Sequence, residues 1–314
     1  MITNDLRSII KGVDVVTITP FTVDLKVDEP GIRKNIRYLI ESGIVKGSGI
    51  LTPLGSTGEC FSLSIEERKR VAEIVLEEAY GKVPVFVGCN DNNVDTVIEL
   101  ANHAESIKAT GIQLIPPYYA GPHSKAQIIA FYKKIANETI LPIILYNNPY
   151  VSKVDLNVDT LSELSKIDNV VALKECSPVL VKIEEVIRKL SDKIAIITGS
   201  SAPEPYTSLM GSVGFVSGIS NALPKYELGL YELIAEGNYV KAKEYHNKIY
   251  PWYEFGRRIN EIGGGGQNIP VMKEAVNMVG LAGGYIKLPL LPLNIEEKKE
   301  LRRILLNLGA EIVI

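Results

Sequence analysis

The sequence predicts a closed (β/α)8 TIM barrel of the α/β class with a C-terminal helical extension, and three observations predict it. Eight short runs rich in β-branched and apolar residues recur along the chain with amphipathic helical patterns between them, the mark of βα units and a parallel sheet. The runs start 19 to 36 residues apart, each interval long enough for a strand, two loops and a crossover helix. The length of 314 residues suits one large barrel with an appendage, since a barrel alone takes ~250 residues.

The strands are expected at 13–19, 49–54, 83–88, 112–115, 141–146, 170–174, 194–198 and 213–217. Between the first two, Asp28, Glu29 and Pro30 open a helix with acids and a proline in its first turn. Ser64 and Glu67 form a capping box ahead of RVAEIVLEEA, which places a helix at 65–80, and the next is expected at 94–108. About 100 residues follow the eighth strand, more than one closing helix needs. Gly237 follows YELIAE, and helical periodicity then returns in NYVKAKEYHNKIYPWYEFGRRI, PVMKEAVNMVG and IEEKKELRRILLNLG. The chain therefore divides into a catalytic barrel at 1–235 and a helical region at 236–314. The four-glycine run at 263–266 has no GK[ST] after it and no strand before it, so it reads as a plain mobile connection rather than a phosphate loop.

Composition narrows the partners. Apolar residues make up 46% and charged ones 23%, which suits a globular domain and excludes disorder. A net charge of −3 argues against nucleic acid or an anionic membrane as the partner. No run approaches the ~18 apolar residues of a membrane span, and MITNDLRSIIKG lacks the apolar core of a secretory signal, so a cytoplasmic protein is expected. Cys60, Cys89 and Cys176, with His103, His123 and His246, show neither CxxC nor HExxH spacing, so no disulfide framework and no metal are expected.

If the barrel forms, the informative residues are polar ones at the C-terminal ends of strands. Strand two runs into Gly55-Ser56-Thr57-Gly58-Glu59, a tight turn whose N–H groups suit a carboxylate and whose hydroxyls suit a proton relay; the alternative is an ordinary capped turn. Strand five ends in Tyr146, whose phenol suits proton transfer at a keto or hydroxyl group; the alternative is a packed ring with a wet hydroxyl. Strand six, VVALK, ends in Lys174, with Glu175 next. An ammonium there is costly to bury, and burial is expected to bring the amine from ~10.4 toward ~7–8, on the order of 4 kcal/mol. A neutral amine attacks a ketone and forms a Schiff base that serves as an electron sink. The alternative is a snorkelling lysine or one paired with Glu175.

GSTGE at 55–59, YNNP at 146–149 and ALKE at 172–175 occur together with TPF at 19–21, PPYY at 116–119 and PLLPL at 289–293. In order and spacing, over the whole chain, this set resembles the dihydrodipicolinate synthase/N-acetylneuraminate lyase family of class I aldolases. The resemblance implies that Lys174 forms the Schiff base with pyruvate or a 2-keto acid, that Tyr146 is the general acid and base, and that Thr57 relays protons to it. It further implies that the N–H groups of Ser56 and Thr57 hold the keto acid's carboxylate, with Gly199 and Val216 completing the substrate site. Tyr119 corresponds to a tyrosine that reaches into a neighbouring subunit, and a homotetramer built as a dimer of dimers follows. No cofactor is implied.

Two departures bear on the substrate. The synthases carry an arginine two residues after the proline of the YNxP motif, similar in role to a clamp on the aldehyde's carboxylate; here that residue is Val151, with Lys153 nearby. Sialic acid lyases carry an acidic pair after the glycine that ends strand seven, where this chain has Ser200, Ser201 and Ala202. The expectation is thus a Schiff-base-forming lyase acting on pyruvate, an aldehyde or a 2-keto-3-deoxy sugar acid. A dehydratase of such an acid, or dihydrodipicolinate synthase itself, is the alternative within the same chemistry; a purely ligand-binding barrel is disfavoured by the reactive lysine. Cys60 and Cys176 flank two of the motifs and read as structural thiols.

Overall fold

The computed structural model describes residues 8–121, 123–263 and 268–313. Positions 264–266 of the glycine run, and the first seven residues of the N-terminal stretch, lie outside the described residues. The chain alternates β1 (Gly12–Val16), α1 (Glu29–Glu41), β2 (Gly49–Thr52), α2 (Ile65–Ala79), β3 (Phe86–Gly88), α3 (Val94–Ser106), β4 (Gly111–Leu114), α4 (Lys125–Ala136) and β5 (Ile143–Asn147). The short α5 (Pro149–Ser152) and α6 (Val158–Leu164) precede β6 (Val170–Glu175), α7 (Leu180–Leu190), β7 (Ala195–Thr198), α8 (Tyr206–Met210) and β8 (Gly214–Val216). Helices α9 (Pro224–Ala235), α10 (Tyr239–Asn247), α11 (Tyr250–Gly263), α12 (Asn268–Met278) and α13 (Ile295–Asn307) follow.

All strand pairs are parallel, in the order β2-β1-β8-β7-β6-β5-β4-β3. The bridge between Leu51 and Val85 brings the two ends together, with Gly88 N–H donating to the Pro53 carbonyl at 2.9 Å, so the sheet closes into a TIM barrel. Several strands are shorter than the apolar runs that announced them. β1 stops at Val16 because the Asn221 side chain takes over: its Nδ2 donates to the Val16 carbonyl at 3.0 Å and its Oδ1 accepts from Ile18 N–H at 3.1 Å. Pro53 and a left-handed Leu54 end β2, and Pro84, lacking an N–H, delays β3. The long helical segment after residue 238 divides for the same reason, with Pro251 in the first turn of α11.

Strand alternation decides which residues face the barrel axis. Val13, Val15, Leu145 and Leu173 pack outward into the core shared with the helices. The alternate positions line the interior, where Val16, Ile50, Phe86, Ile144 and Ile197 form a separate apolar cluster. Asp14, Thr52, Tyr146 and Lys174 fall on that inner face by the same alternation. A third cluster, built from Trp252, Phe255, Val271 and Leu305 of the tail, also takes in Ile18 and Ile219 from the barrel rim. At ~1.5–3 kcal/mol per buried large apolar side chain, these contacts hold the tail helices against the strand ends.

Candidate active site

Neighbouring strands place the two most reactive side chains together. Tyr146 and Lys174 are register partners on β5 and β6, and the Lys174 amino group lies 4.4 Å from the centre of the Tyr146 ring. Both are almost fully buried, at 4% and 3% exposure. Glu175, one residue on, points to the other face, where Asn147 Nδ2 donates to both of its carboxylate oxygens at 2.8 and 3.0 Å. Burial pushes the Glu175 carboxyl up to about 7. A Lys174–Glu175 pair is thereby ruled out, because adjacent residues of a strand face opposite ways.

The charge balance at Lys174 corrects one expectation. Burial opposes the ammonium, but the acidic groups of Tyr146, Asp14 and Cys176 beside it favour it, and the balance pushes the amine up from its ordinary value instead of down toward neutrality. Sequence reasoning counted the cost of burial alone, whereas barrel closure brings acids from other segments to the same place. Tyr146 is itself pushed up by burial, against the pull of Lys174 and of hydrogen bonds from Asn148 and Ser56. Burial likewise drives the Cys176 thiol up to about 12, so it stays protonated at neutral pH.

Asn148 is the residue sequence reasoning missed. Its Nδ2 donates to the Tyr146 hydroxyl at 2.7 Å, while its Oδ1 caps the short helix α5 by accepting from Tyr150 and Val151 N–H at 3.1 and 3.3 Å. The YNNP motif therefore carries its own orienting donor, and Pro149 at the first helical position fixes the turn. The phenol accepts from Asn148, and no hydrogen bond joins it to Thr57 among the described residues. Thr57 and Ser56 are half-buried in the turn after β2. Gly58 N–H donates back to the Gly55 carbonyl and Glu59 N–H to that of Ser56, so the turn is internally bonded on its far side.

A buried ion pair props that turn from below. Glu59, in the left-handed conformation, meets Lys273 of α12, whose amino group also donates to the Tyr285 carbonyl at 2.9 Å and lies 4.1 Å from the centre of the Phe21 ring. Gly199 closes the end of β7 against β6: a Cβ there would stand 1.9 Å from Cys176 Sγ, so only glycine fits. Val216 lies at the end of β8, within the interior cluster. Tyr119 sits on the loop after β4 and is 79% exposed within one chain, its N–H bonded to Asn92 Oδ1 at 2.8 Å. Val151 is half-exposed on α5, and the Lys153 amino group turns back to the Tyr150 carbonyl at 2.8 Å.

A buried amine against a buried phenol on adjacent strands is the apparatus for imine formation and proton transfer at one carbon. A model of the dihydrodipicolinate synthetase family matches residues 9–308. The chain belongs to this family. Membership makes it a lyase of the pyruvate-dependent aldolase type that works through a Schiff base. A dihydrodipicolinate synthetase family relative from Methanothrix thermoacetophila, named 4-hydroxy-tetrahydrodipicolinate synthase, is 35% identical over 300 residues, covering 95% of this chain and 97% of its own. One of the same name from Methanocaldococcus jannaschii is 35% identical over 300 residues, 95% and 99% of the two chains. Among solved structures, dihydrodipicolinate synthase from Aquifex aeolicus superposes with a TM-score of 0.88 at 27% identity, covering 97% of this chain and 100% of that one. A prophage protein of the family from E. coli K12, in complex with pyruvate, matches with a TM-score of 0.88 at 27% identity over 96% and 99%.

Proposed function

We propose that this enzyme is a class I aldolase that cleaves or forms a 2-keto-3-deoxy sugar acid, with pyruvate as its keto-acid half. Lys174 loses a proton, its nitrogen bonds to C2 of the keto acid, and the C2 oxygen leaves as water as that proton is returned, giving the iminium. Tyr146 then moves the proton that accompanies breaking or making of the C3–C4 bond, and Asn148 orients its hydroxyl. The N–H groups of Ser56 and Thr57 hold the keto acid's carboxylate, with Thr57 as proton relay and Gly199 and Val216 as walls of the substrate site. The observation that carries the chemistry is the 4.4 Å approach of the Lys174 amino group to the Tyr146 ring inside the barrel.

Val151 supports the sugar-acid half of the reading. An apolar side chain stands where a carboxylate-bearing aldehyde would need a guanidinium, and the Lys153 amino group turns back toward the Tyr150 carbonyl. The second reading is condensation of pyruvate with aspartate semialdehyde, favoured by the name shared by relatives at 35% identity. Dehydration of the same sugar acid would follow if C4 loses a hydroxyl. Incubation with pyruvate and borohydride should add one reduced pyruvate to Lys174, seen by mass spectrometry; a folded protein with no adduct refutes the Schiff-base assignment. Incubation with 2-keto-3-deoxy-gluconate and its arabinonate analogue should release pyruvate and an aldehyde. Release of a dioxo or semialdehyde acid would mark a dehydratase, and turnover of aspartate semialdehyde alone would mark the synthase.

The division of labour proposed for the chain is a catalytic barrel over 1–235 and a packing and assembly region over 236–314. Tyr119, exposed on one chain, is assigned to a neighbour's site in a homotetramer, which light scattering tests directly. No described helix is long and apolar enough to cross a membrane. Three free cysteines suit the reducing cytoplasm, the location this reading assigns.

A further inference from the structure

Asp14 is a carboxyl group inside an apolar barrel with too few partners of its own. It sits on β1 with its side chain on the inner face and 1% exposed. One carboxylate oxygen accepts from Thr52 Oγ1 at 2.6 Å, and the other, Oδ2, has no hydrogen-bond partner among the described residues. A buried carboxylate that is not satisfied by donors must be neutral or matched by a cation. Burial pushes the Asp14 carboxyl up from its ordinary value, while the charge of Lys174, at the end of β6 on the same inner face, and the Thr52 hydroxyl pull it back toward the carboxylate.

The account from the lysine's side agrees. The titratable groups that face Lys174 are Tyr146 from β5, Asp14 from β1 and Cys176 just beyond its own strand. Burial holds the Tyr146 phenol and the Cys176 thiol in their protonated forms at neutral pH. Ala195 and Ile197 of β7, packed alongside, bring no charge. The nitrogen of Lys174 is positive in the free enzyme as an ammonium and positive again in the intermediate as an iminium, so a counter-charge is needed at both stages.

We propose that Asp14 is a positioning residue for the Schiff base, its carboxylate acting as counter-charge to the Lys174 nitrogen in both the ammonium and the iminium, with Thr52 fixing its orientation. This rests on the Schiff-base reading above. Capture of pyruvate by borohydride, followed against pH, tests it. Attack needs the neutral amine, so the rate rises with pH along a limb set by Lys174. Asp14→Asn, which keeps the shape and removes the charge, should move that limb down by about one pH unit or more, making capture roughly tenfold faster near pH 7. Thr52→Val keeps the carboxylate and should leave the limb on the alkaline side of Asp14→Asn.

If the wild type captures pyruvate and folded Asp14→Asn gives the same limb, the inference is overturned while the Schiff-base reading stands. No capture by the wild type overturns both. Should Asp14→Asn not fold, Asp14→Val takes its place, since an apolar side chain there needs no partner. A measurement on the unaltered enzyme stands beside the variants. The carbon signal of bound [2-13C]pyruvate should remain that of a protonated iminium to about pH 8 and beyond, whereas a neutral imine at pH 7 would exclude a carboxylate counter-charge.

Discussion

Replacing Lys273 with methionine strands the Glu59 carboxylate at the end of the Gly55–Glu59 turn. In the native protein the two side chains are 1% and 0% exposed, and burial shifts both toward their neutral forms while pairing opposes it. Without the lysine, Glu59 must be protonated to stay inside. Starting from an ordinary carboxyl value of 4.5, protonation at pH 7 costs up to about 3 kcal/mol, at about 1.4 kcal/mol for each pH unit. The folded-state value in the variant lies above the unfolded one, so the folded protein binds the extra proton. The deficit is therefore absent below about pH 4.5, under about 1 kcal/mol at pH 5, and grows as pH rises. Urea unfolding of Lys273→Met and wild type at pH 5, 7 and 8 measures it. The double variant Glu59→Gln/Lys273→Met should recover much of the loss, because neither neutral side chain carries a charge to strand. A deficit independent of pH, or no recovery in the double variant, would refute the ion-pair account and leave only lost packing.

Gly199→Ala should destabilise the protein by about 1–3 kcal/mol in thermal or urea unfolding, through overpacking against Cys176. Cys176→Ala should not rescue it, since the new methyl would still stand 2.7 Å from the Cβ of residue 176. Asn148→Ala removes the 2.7 Å donor to the Tyr146 hydroxyl and should lower kcat about tenfold or more with little change in KM for pyruvate; an effect on KM alone would contradict an orienting role. Glu175→Gln should stabilise the protein by up to about 3 kcal/mol above pH 7 and hardly at all below pH 4.5. The native carboxyl at about 7 exceeds its unfolded value, so the stability it contributes is present at low pH and lost as pH rises through 7. Urea midpoints at pH 4 and 8 measure the difference.

Local signals in the chain carried far. Eight apolar runs at regular intervals, with Ser64 and Asn93 among the polar caps that start the helices between them, are enough to imply a barrel, because strand and helix periods are written over a few residues. Lys174 was visible for the same reason: a lysine ending VVAL is conspicuous, and the family's short motifs surround it. Asn148 was visible as a letter of its motif but not as a donor, since the direction of its amide depends on how α5 turns. Strand edges were overestimated where a distant side chain, Asn221, takes the place of a sheet partner.

Tertiary structure alone decided the electrostatics. Asp14 and Lys174 lie 160 residues apart and Glu59 and Lys273 lie 214 apart, and nothing local to any of them announces the partner. A lysine at the end of VVAL announces an amine buried at a strand end, and burial alone argues for a neutral one. Closing the barrel put a carboxylate and a phenol beside it and reversed the direction. Periodicity is a property of neighbours in the chain, whereas the free energy of a charge is set by neighbours in space.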